Sequence, residues 1–287
     1  MDVARWAEGV EVERPGHASA AMADKVRRWL APVVRLAHRP TLEGVEHLPP
    51  TGPFLLVANH SAGLGLAEIF SFMVLYPRDV GLARPIAAFA HPVGFRVYPL
   101  SLALAHLGAV PSTYAAAEAA LAVGVPLLVF PGGDHETLRP LWQAHRVDFG
   151  GRVGFLRIAR AAGVPVVPMG IRGGHFTAPV LFRSRALATL LVVPRLLGLK
   201  RWGVSLLGAV GAALLAAYGP GPWALRAALA WLWLGSPLTF VPWVPWSLRL
   251  RIGPPLTAAT LFPDGDAADL RPALARVQSA VQSLVDR

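Results

Sequence analysis

An α/β fold with a mostly parallel central sheet flanked by helices is predicted by three observations. Continuous apolar runs at 54–58, 126–130 and 164–169 have the length and lack of alternation of strands buried on both faces. Helical stretches, Ala-rich at 114–123 and at 152–162, precede the second and third of these runs. Helices alternating with buried strands call for a layered structure with a parallel sheet. The first two runs also end in polar clusters, Asn59-His60-Ser61 and Gly132-Gly133-Asp134-His135-Glu136. Open α/β sheets place their sites at such strand ends.

The chain divides into four parts. Residues 1–40 are a tail, polar and poorly ordered to about residue 20, followed by a helix at 21–39. That helix interleaves Trp29, Leu30, Val33, Val34 and Leu36 with Lys25, Arg27, Arg28, Arg35 and Arg39. Such a pattern suits an anionic membrane surface, or a helix packed on the body with its cations in water. Pro32 is expected to kink it. Residues 41–185 form the core, beginning with a short strand at 41–46 and a turn at 48–53. Within the core, 86–107 reads as an apolar helical region that holds His91 and His106 in structural roles. Residues 186–247 break the rhythm as an apolar helical insertion near the C-terminal third. Arg226 is the only charged residue from 202 to 247. A spanning helix needs about 20 apolar residues, but Gly219-Pro220-Gly221-Pro222 and Pro237, Pro242 and Pro245 interrupt both halves. A hairpin dipping into one leaflet fits better than two spans, with Trp residues at interfacial depth; an apolar subdomain packed on the core is the other reading. Residues 248–287 complete the core with a half-exposed strand, Leu248–Ile252, and a terminal amphipathic helix at 266–287.

Composition narrows the function classes. Of the 287 residues, 54% are hydrophobic and 15% charged, which excludes a disordered chain and fits poorly with a freely soluble one. Lys plus Arg is 27 against 17 acids, a net charge of +10, and Lys occurs only at 25 and 200. Arg-rich surfaces suit phosphate-bearing partners, although genomic base composition produces the same bias. No basic stripe or RNA-binding signature accompanies the charge, so no nucleic-acid partner is expected. The absence of Cys removes disulfides, thiolate–zinc sites and a cysteine nucleophile. His135, His145 and His175 lack the paired spacing of a zinc helix, and no metal is expected. The first residues have no basic segment followed by an apolar core, so a cytoplasmic disposition is expected.

His60, released at the end of a buried strand, is the candidate general base, since an unperturbed imidazole titrates near neutrality. Nearby glycines let a backbone approach a substrate and offer N–H groups to an oxyanion. A hydrogen-bonded structural histidine is the competing reading.

Four blocks in order carry a family resemblance: LEGVEHLPPTGPFLLVANHSAG (42–63), LGAVPSTYAAAEAAL (107–121), LLVFPGGDHE (127–136) and DFGGRVGFLRIARAAGVPVVPMGIRGG (148–174). Together they make the chain similar to the glycerolipid acyltransferase superfamily, in particular its monoacylglycerol and diacylglycerol acyltransferase branch. The resemblance implies an acyltransferase-like fold and acyl transfer from a thioester to an alcohol. In the family's His-x-x-x-x-Asp motif the His deprotonates the acceptor and the Asp orients it; His60 matches the His, but Gly65 stands at the Asp position. Glu68 substitutes if 63–65 bend the chain back, with Asp134 and Glu136 as other candidate partners. Phosphate-acceptor members carry Phe-Pro-Glu-Gly-Thr-Arg, where this chain has Gly132 for the Glu and His135 for the Arg. A neutral lipid alcohol is therefore the favoured acceptor, with Arg139, Arg146 or Arg152 able to restore a phosphate site.

The resulting expectation is a membrane-associated acyltransferase at the cytoplasmic face of a bacterial-type inner membrane. His60 and Glu68 would be catalytic, and Asn59, Ser61, Gly132, Gly133, Asp134, His135 and Glu136 would bind substrate. Acyl-CoA or acyl carrier protein would serve as donor substrate, with no cofactor, and membrane lipid and a lipid alcohol as partners. The alternatives are a catalytically silent lipid- or acyl-chain-binding protein, lacking the motif Asp, and a lysophospholipid acyltransferase.

Overall fold

The computed structural model describes residues 14–61, 63–263 and 269–287. Nine strands are described: β1 (Thr41–Glu43), β2 (Leu55–Ala58), β3 (Ala87–Ala90), β4 (Val110–Pro111), β5 (Leu127–Val129), β6 (Val166–Arg172), β7 (Val180–Ser184), β8 (Trp202–Ser205) and β9 (Arg249–Ile252). Seven form one sheet in the order β1-β9-β6-β2-β5-β3-β4. Every pair in it is parallel except β6 with β9, which pair antiparallel from Met169↔Ile252 to Arg172↔Arg249. The three continuous apolar runs of the sequence are β6, β2 and β5, adjacent at the centre. Burial on both faces explains why none of them alternates.

The helices are α1 (Ala20–Lys25), α2 (Ala31–His38), α3 (Leu66–Asp79), α4 (Leu100–His106), α5 (Tyr114–Ala122), α6 (Gly133–Thr137), α7 (Gly154–Ala162), α8 (Arg185–Leu190), α9 (Val193–Leu196), α10 (Leu206–Tyr218), α11 (Trp223–Gly235), α12 (Ala258–Leu261) and α13 (Arg271–Asp286). On one face of the sheet, Leu55, Val57, Leu127 and Val129 pack with Leu121 of α5, Phe155 of α7 and Val277 and Val281 of α13. On the other, Leu56, Ala58, Leu128 and Met169 pack with Phe72, Leu75 and Tyr76 of α3. Alternate residues of one strand thus feed two cores, as the period of a strand requires.

Several expectations are corrected. Residues 14–19 are tied down, with Gly16 N donating to Gly108 O (2.8 Å) and Ser19 N to His106 O (2.8 Å); the expected disorder of 1–13 lies outside the described residues. The kink expected at Pro32 takes the form of a π-helical turn, Val26–Leu30, just before it. Proline's missing N–H leaves an upstream carbonyl free, and a wider turn absorbs the mismatch. The region 86–107 is not one helix but β3, a 3-10 turn at Pro92–Arg96 and α4. Pro85 and Pro92 bracket the strand, and pairing of Ala87 with Leu127 overrides the helix preference of its alanines. His91 and His106 are exposed rather than core. The insertion at 186–247 is not wholly helical, because it contains β8, which pairs antiparallel with β7 in a separate two-stranded sheet. The terminal helix begins at Arg271; its expected start at 266 lies outside the described residues.

Among the described residues, no helix is long and apolar enough to cross a membrane. Helices α10 and α11 pack on each other as a hairpin whose base rests on β8 and the 3-10 turn Pro237–Phe240. At that base Trp202 and Phe240 are fully buried, their rings edge to face at 4.9 Å.

Candidate active site

The site is assembled where β2 ends. The ladder between β2 and β6 closes at Ala58↔Met169, and the side chain of Asn59 continues it. Its Nδ2 donates to Ile171 O (2.9 Å) and its Oδ1 accepts from Ile171 N (2.7 Å). A carboxamide here imitates one more backbone amide of the sheet. Buried at 2% exposure, Asn59 spends these groups on the scaffold and fixes the point from which the chain leaves the sheet.

His60 follows. Its backbone N–H donates to Glu136 Oε2 (3.0 Å), and its ring stacks on Phe130, centroids 4.1 Å apart and planes 14° from parallel. Phe130 comes from the end of β5, which runs in register with β2 through Val57↔Val129. Nδ1 of His60 lies 2.5 Å from Glu68 Oε1. The Glu68 side chain is wholly buried, whereas the imidazole keeps 12% of its surface exposed.

Glu68 sits in the first turn of α3, a position that favours a carboxylate through the helix dipole. It also accepts from Ser61 N (2.9 and 3.1 Å to its two oxygens) and from Ser61 Oγ. The turn at Gly63–Gly65 bends the chain so that α3 starts beneath the imidazole, with Leu64 at φ 57° and Gly65 at φ 72°. Glycine is required at 65 for space as well as for φ, since a Cβ there would stand 2.7 Å from His60 Nδ1.

The second cluster repeats the device. A Cβ on Gly132 would stand 2.2 Å from Glu136 Cγ and Oε2, so the carboxylate arm of Glu136 fills the place beside that glycine. Glu136 Oε1 accepts from Asp148 N (2.9 Å) and from Arg139 Nη2 (3.5 Å). Burial pushes its pKa up to about 7 from the usual carboxylate range, against the lowering by the N–H groups of Asp148 and His60 and by Arg139. Asp134 pairs with Arg152, which also reaches Gly132 O (2.8 Å) and Pro131 O (3.2 Å). His135 Nε2 lies 2.9 Å from Asp148 Oδ2, and its carbonyl accepts from Arg183 of β7. Burial, partly offset by Asp148, holds the His135 pKa below its ordinary value.

The structure thus brings together His60, Glu68, Ser61 and Glu136, and sets Asn59 behind them. Asn59 and Ser61, expected to bind substrate, are buried and bonded to Ile171 and Glu68. Asp134 and His135, with the same expectation, are engaged by Arg152 and Asp148, and Gly132 and Gly133 shape the turn. Neither Asp134 nor Glu136 is the carboxylate at the His60 ring; that place is taken by Glu68. Phe130 and Asp148 were not assigned roles from the sequence. Equal register at the ends of β2 and β5 is the signal that finds Phe130, while nothing local marks Asp148.

Residues 39–172 match the family model described as Acyltransferase. The chain is 29% identical over 161 residues to the uncharacterized protein ML2427 of Mycobacterium leprae (strain TN), covering 54% of this chain and 42% of that protein. It therefore spans less than half the length of this curated relative. Among solved structures it is similar to the 1-acyl-sn-glycerophosphate (LPA) acyltransferase PlsC from Thermotoga maritima. The TM-score is 0.51 at 20% identity, over 92% of this chain and 81% of that one. The likeness extends to the parallel sheet and its flanking helices.

Proposed function

We propose that residues 39–172, which match the Acyltransferase family model, form an acyltransferase domain of the glycerolipid type, and from this premise that the chain moves a fatty acyl group from a thioester to the hydroxyl of a lipophilic alcohol. The observation that carries the reading is the 2.5 Å contact between His60 Nδ1 and Glu68 Oε1. A carboxylate at Nδ1 holds the proton there and leaves the Nε2 lone pair to act as base. In the reaction, Nε2 takes the proton of the acceptor hydroxyl as its oxygen attacks the thioester carbonyl. The tetrahedral intermediate then expels the thiolate, which takes that proton from the imidazolium, leaving an ester and a free thiol. Glu68, buried and held by Ser61, balances the transient imidazolium charge. Phe130 behind the ring and Glu136 on its backbone N–H keep the imidazole in one orientation.

The donor is acyl-CoA or an acyl carrier protein, and no cofactor takes part. The acceptor is a neutral lipid alcohol: Gly132 and His135 replace the acid and arginine of the phosphate-acceptor pattern. Two arginines beside it are occupied, Arg152 by Asp134 and Arg139 by Glu136. A lysophospholipid acceptor is the second reading, favoured by Arg183 of β7, which reaches the second cluster at the His135 carbonyl. The enzyme works against membrane lipid at the cytoplasmic face of a bacterial inner membrane.

The test supplies labelled acyl-CoA and acyl carrier protein donors with monoacylglycerol, diacylglycerol and lysophosphatidate acceptors. Wild type is expected to form the neutral ester, and His60→Ala only background. Equal background from both would sink the enzyme reading and leave a silent lipid-binding protein; labelled phosphatidate would select the second acceptor.

A further inference from the structure

We propose that the α10–α11 hairpin is the membrane-docking element, inserting into one leaflet of an anionic bilayer. The assignment rests on the membrane association proposed above and names the surface that makes it.

The hairpin is apolar on more than its packed side. Leu206, Val210, Leu214 and Tyr218, four residues apart, form one exposed stripe along the whole of α10, with Tyr218 83% exposed. On α11, Trp223 is 81% exposed, and Leu225, Trp231 and Leu232 are exposed as well. A helix that is hydrophobic all round belongs in a core or in lipid, and among the described residues these faces have no core to enter. The single charge, Arg226, turns inward on the hairpin itself, with Nε donating to Gly221 O (3.0 Å) and Nη1 to Ala217 O (3.0 Å). Donors satisfied in this way lower the cost of entering an apolar phase.

Length sets the depth. Thirteen residues in each helix give about 20 Å at 1.5 Å per residue, short of the roughly 30 Å hydrocarbon core. Charge sets the partner. Between Asp148 and Asp264 the chain has no Asp or Glu but twelve Arg or Lys. Arg185, Arg195, Lys200 and Arg201 lie in the segment that leads into the hairpin's base, and the first three are exposed. A basic collar around an apolar wedge suits anionic headgroups over acyl chains.

The base reaches the candidate site. After α11 the chain enters Pro237–Phe240, and a Cβ on Gly63 would stand 2.8 Å from the Phe240 ring. Docking by the hairpin therefore places the turn that carries Glu68 beneath His60 beside the lipid surface, from which a lipophilic alcohol arrives.

Flotation with phosphatidylcholine vesicles, with and without phosphatidylglycerol, tests the proposal on the full chain. Wild type and His60→Ala are expected to float with the anionic vesicles, so that binding is read apart from turnover. The triple variant Val210→Glu, Leu214→Glu, Trp223→Glu should lose at least about tenfold in binding, since each site forfeits the burial of a large apolar side chain. Its melting temperature should match wild type, because all three positions are exposed. A control pair on the N-terminal helix, Trp29→Glu with Leu36→Glu, should still float. Retained flotation of the triple variant overturns the assignment, as does loss confined to the control pair. A wild type that stays unbound and sediments as a dimer gives the hairpin to a second copy of the chain and overturns the membrane association too, while leaving the acyl-transfer assay to stand by itself.

Discussion

Gly65 faces the imidazole of His60 so closely that a Cβ on it would lie 2.6 Å from Cε1 and 2.7 Å from Nδ1. The position needs a positive φ of 72° as well. Gly65→Ala is therefore expected to push the ring off Glu68, lowering kcat about a hundredfold and stability by about 1–2 kcal/mol. Steady-state kinetics with a urea melt checks both, and an unchanged kcat would mean that the ring does not need its present place.

Glu68→Gln keeps shape but removes the charge that holds Nδ1–H. A fall in kcat of about 10²–10⁴ is expected, with KM changed little because Glu68 is wholly buried. A loss confined to KM would place Glu68 in substrate binding instead.

Asn59→Ala should act on stability. It strands the N–H and C=O of Ile171, which is itself buried, without partners. Unsatisfied groups of this kind cost about 1–3 kcal/mol each, so a loss of about 2–4 kcal/mol is expected in equilibrium denaturation. A loss below about 0.5 kcal/mol would show that Asn59 does not clamp β2 to β6.

His175 provides a pH signature. Burial first, then the charges of Arg139 and His145, hold its pKa down at about 3, and neither ring nitrogen has a hydrogen-bond partner among the described residues. The unfolded chain takes up this proton near pH 6.5 and the folded one only near 3, so stability is intact above 6.5 and falls as pH drops through that window. At pH 4 the loss is on the order of 3 kcal/mol. His175→Leu should remove it while costing little at pH 8. Glu136, raised to about 7, has the opposite sign, stability falling as pH rises from about 4.5 to 7. Subtracting the two melting profiles cancels its contribution. Parallel profiles would show that His175 is not the group.

Much of the centre was legible because the strands that matter most are buried on both faces. Phe54–Ala58 and Val164–Met169 carry that burial in composition alone, and the strand ends then located His60. Glu68 was legible for a different reason: glycines at 63 and 65 permit the return of the chain, and no other acid stands so near downstream. What escaped was long-range. Ala87–Ala90 reads as helix by its alanines and becomes strand through β5 and β4, which no local window contains. The burial of Asn59 and Ser61 depends on Ile171 and on the reach of Glu68, neither of which polarity at a strand end reveals. The pairing of β7 with β8 was hidden by the intervening segment.

Among the described residues, strand β1 meets the sheet only through β9, and β9 in turn covers β6. The edge of β6 therefore stands open on the ribosome until the strand 249–252 has been made, about 80 residues after β6 itself, or on the order of 4–16 s at 5–20 residues per second. During that wait the chain has already synthesised its most apolar stretch, α10 and α11. Early delivery of the hairpin to a lipid surface would keep it from the bare strand edge, so the nascent chain is expected to need a membrane or a chaperone before its sheet is closed.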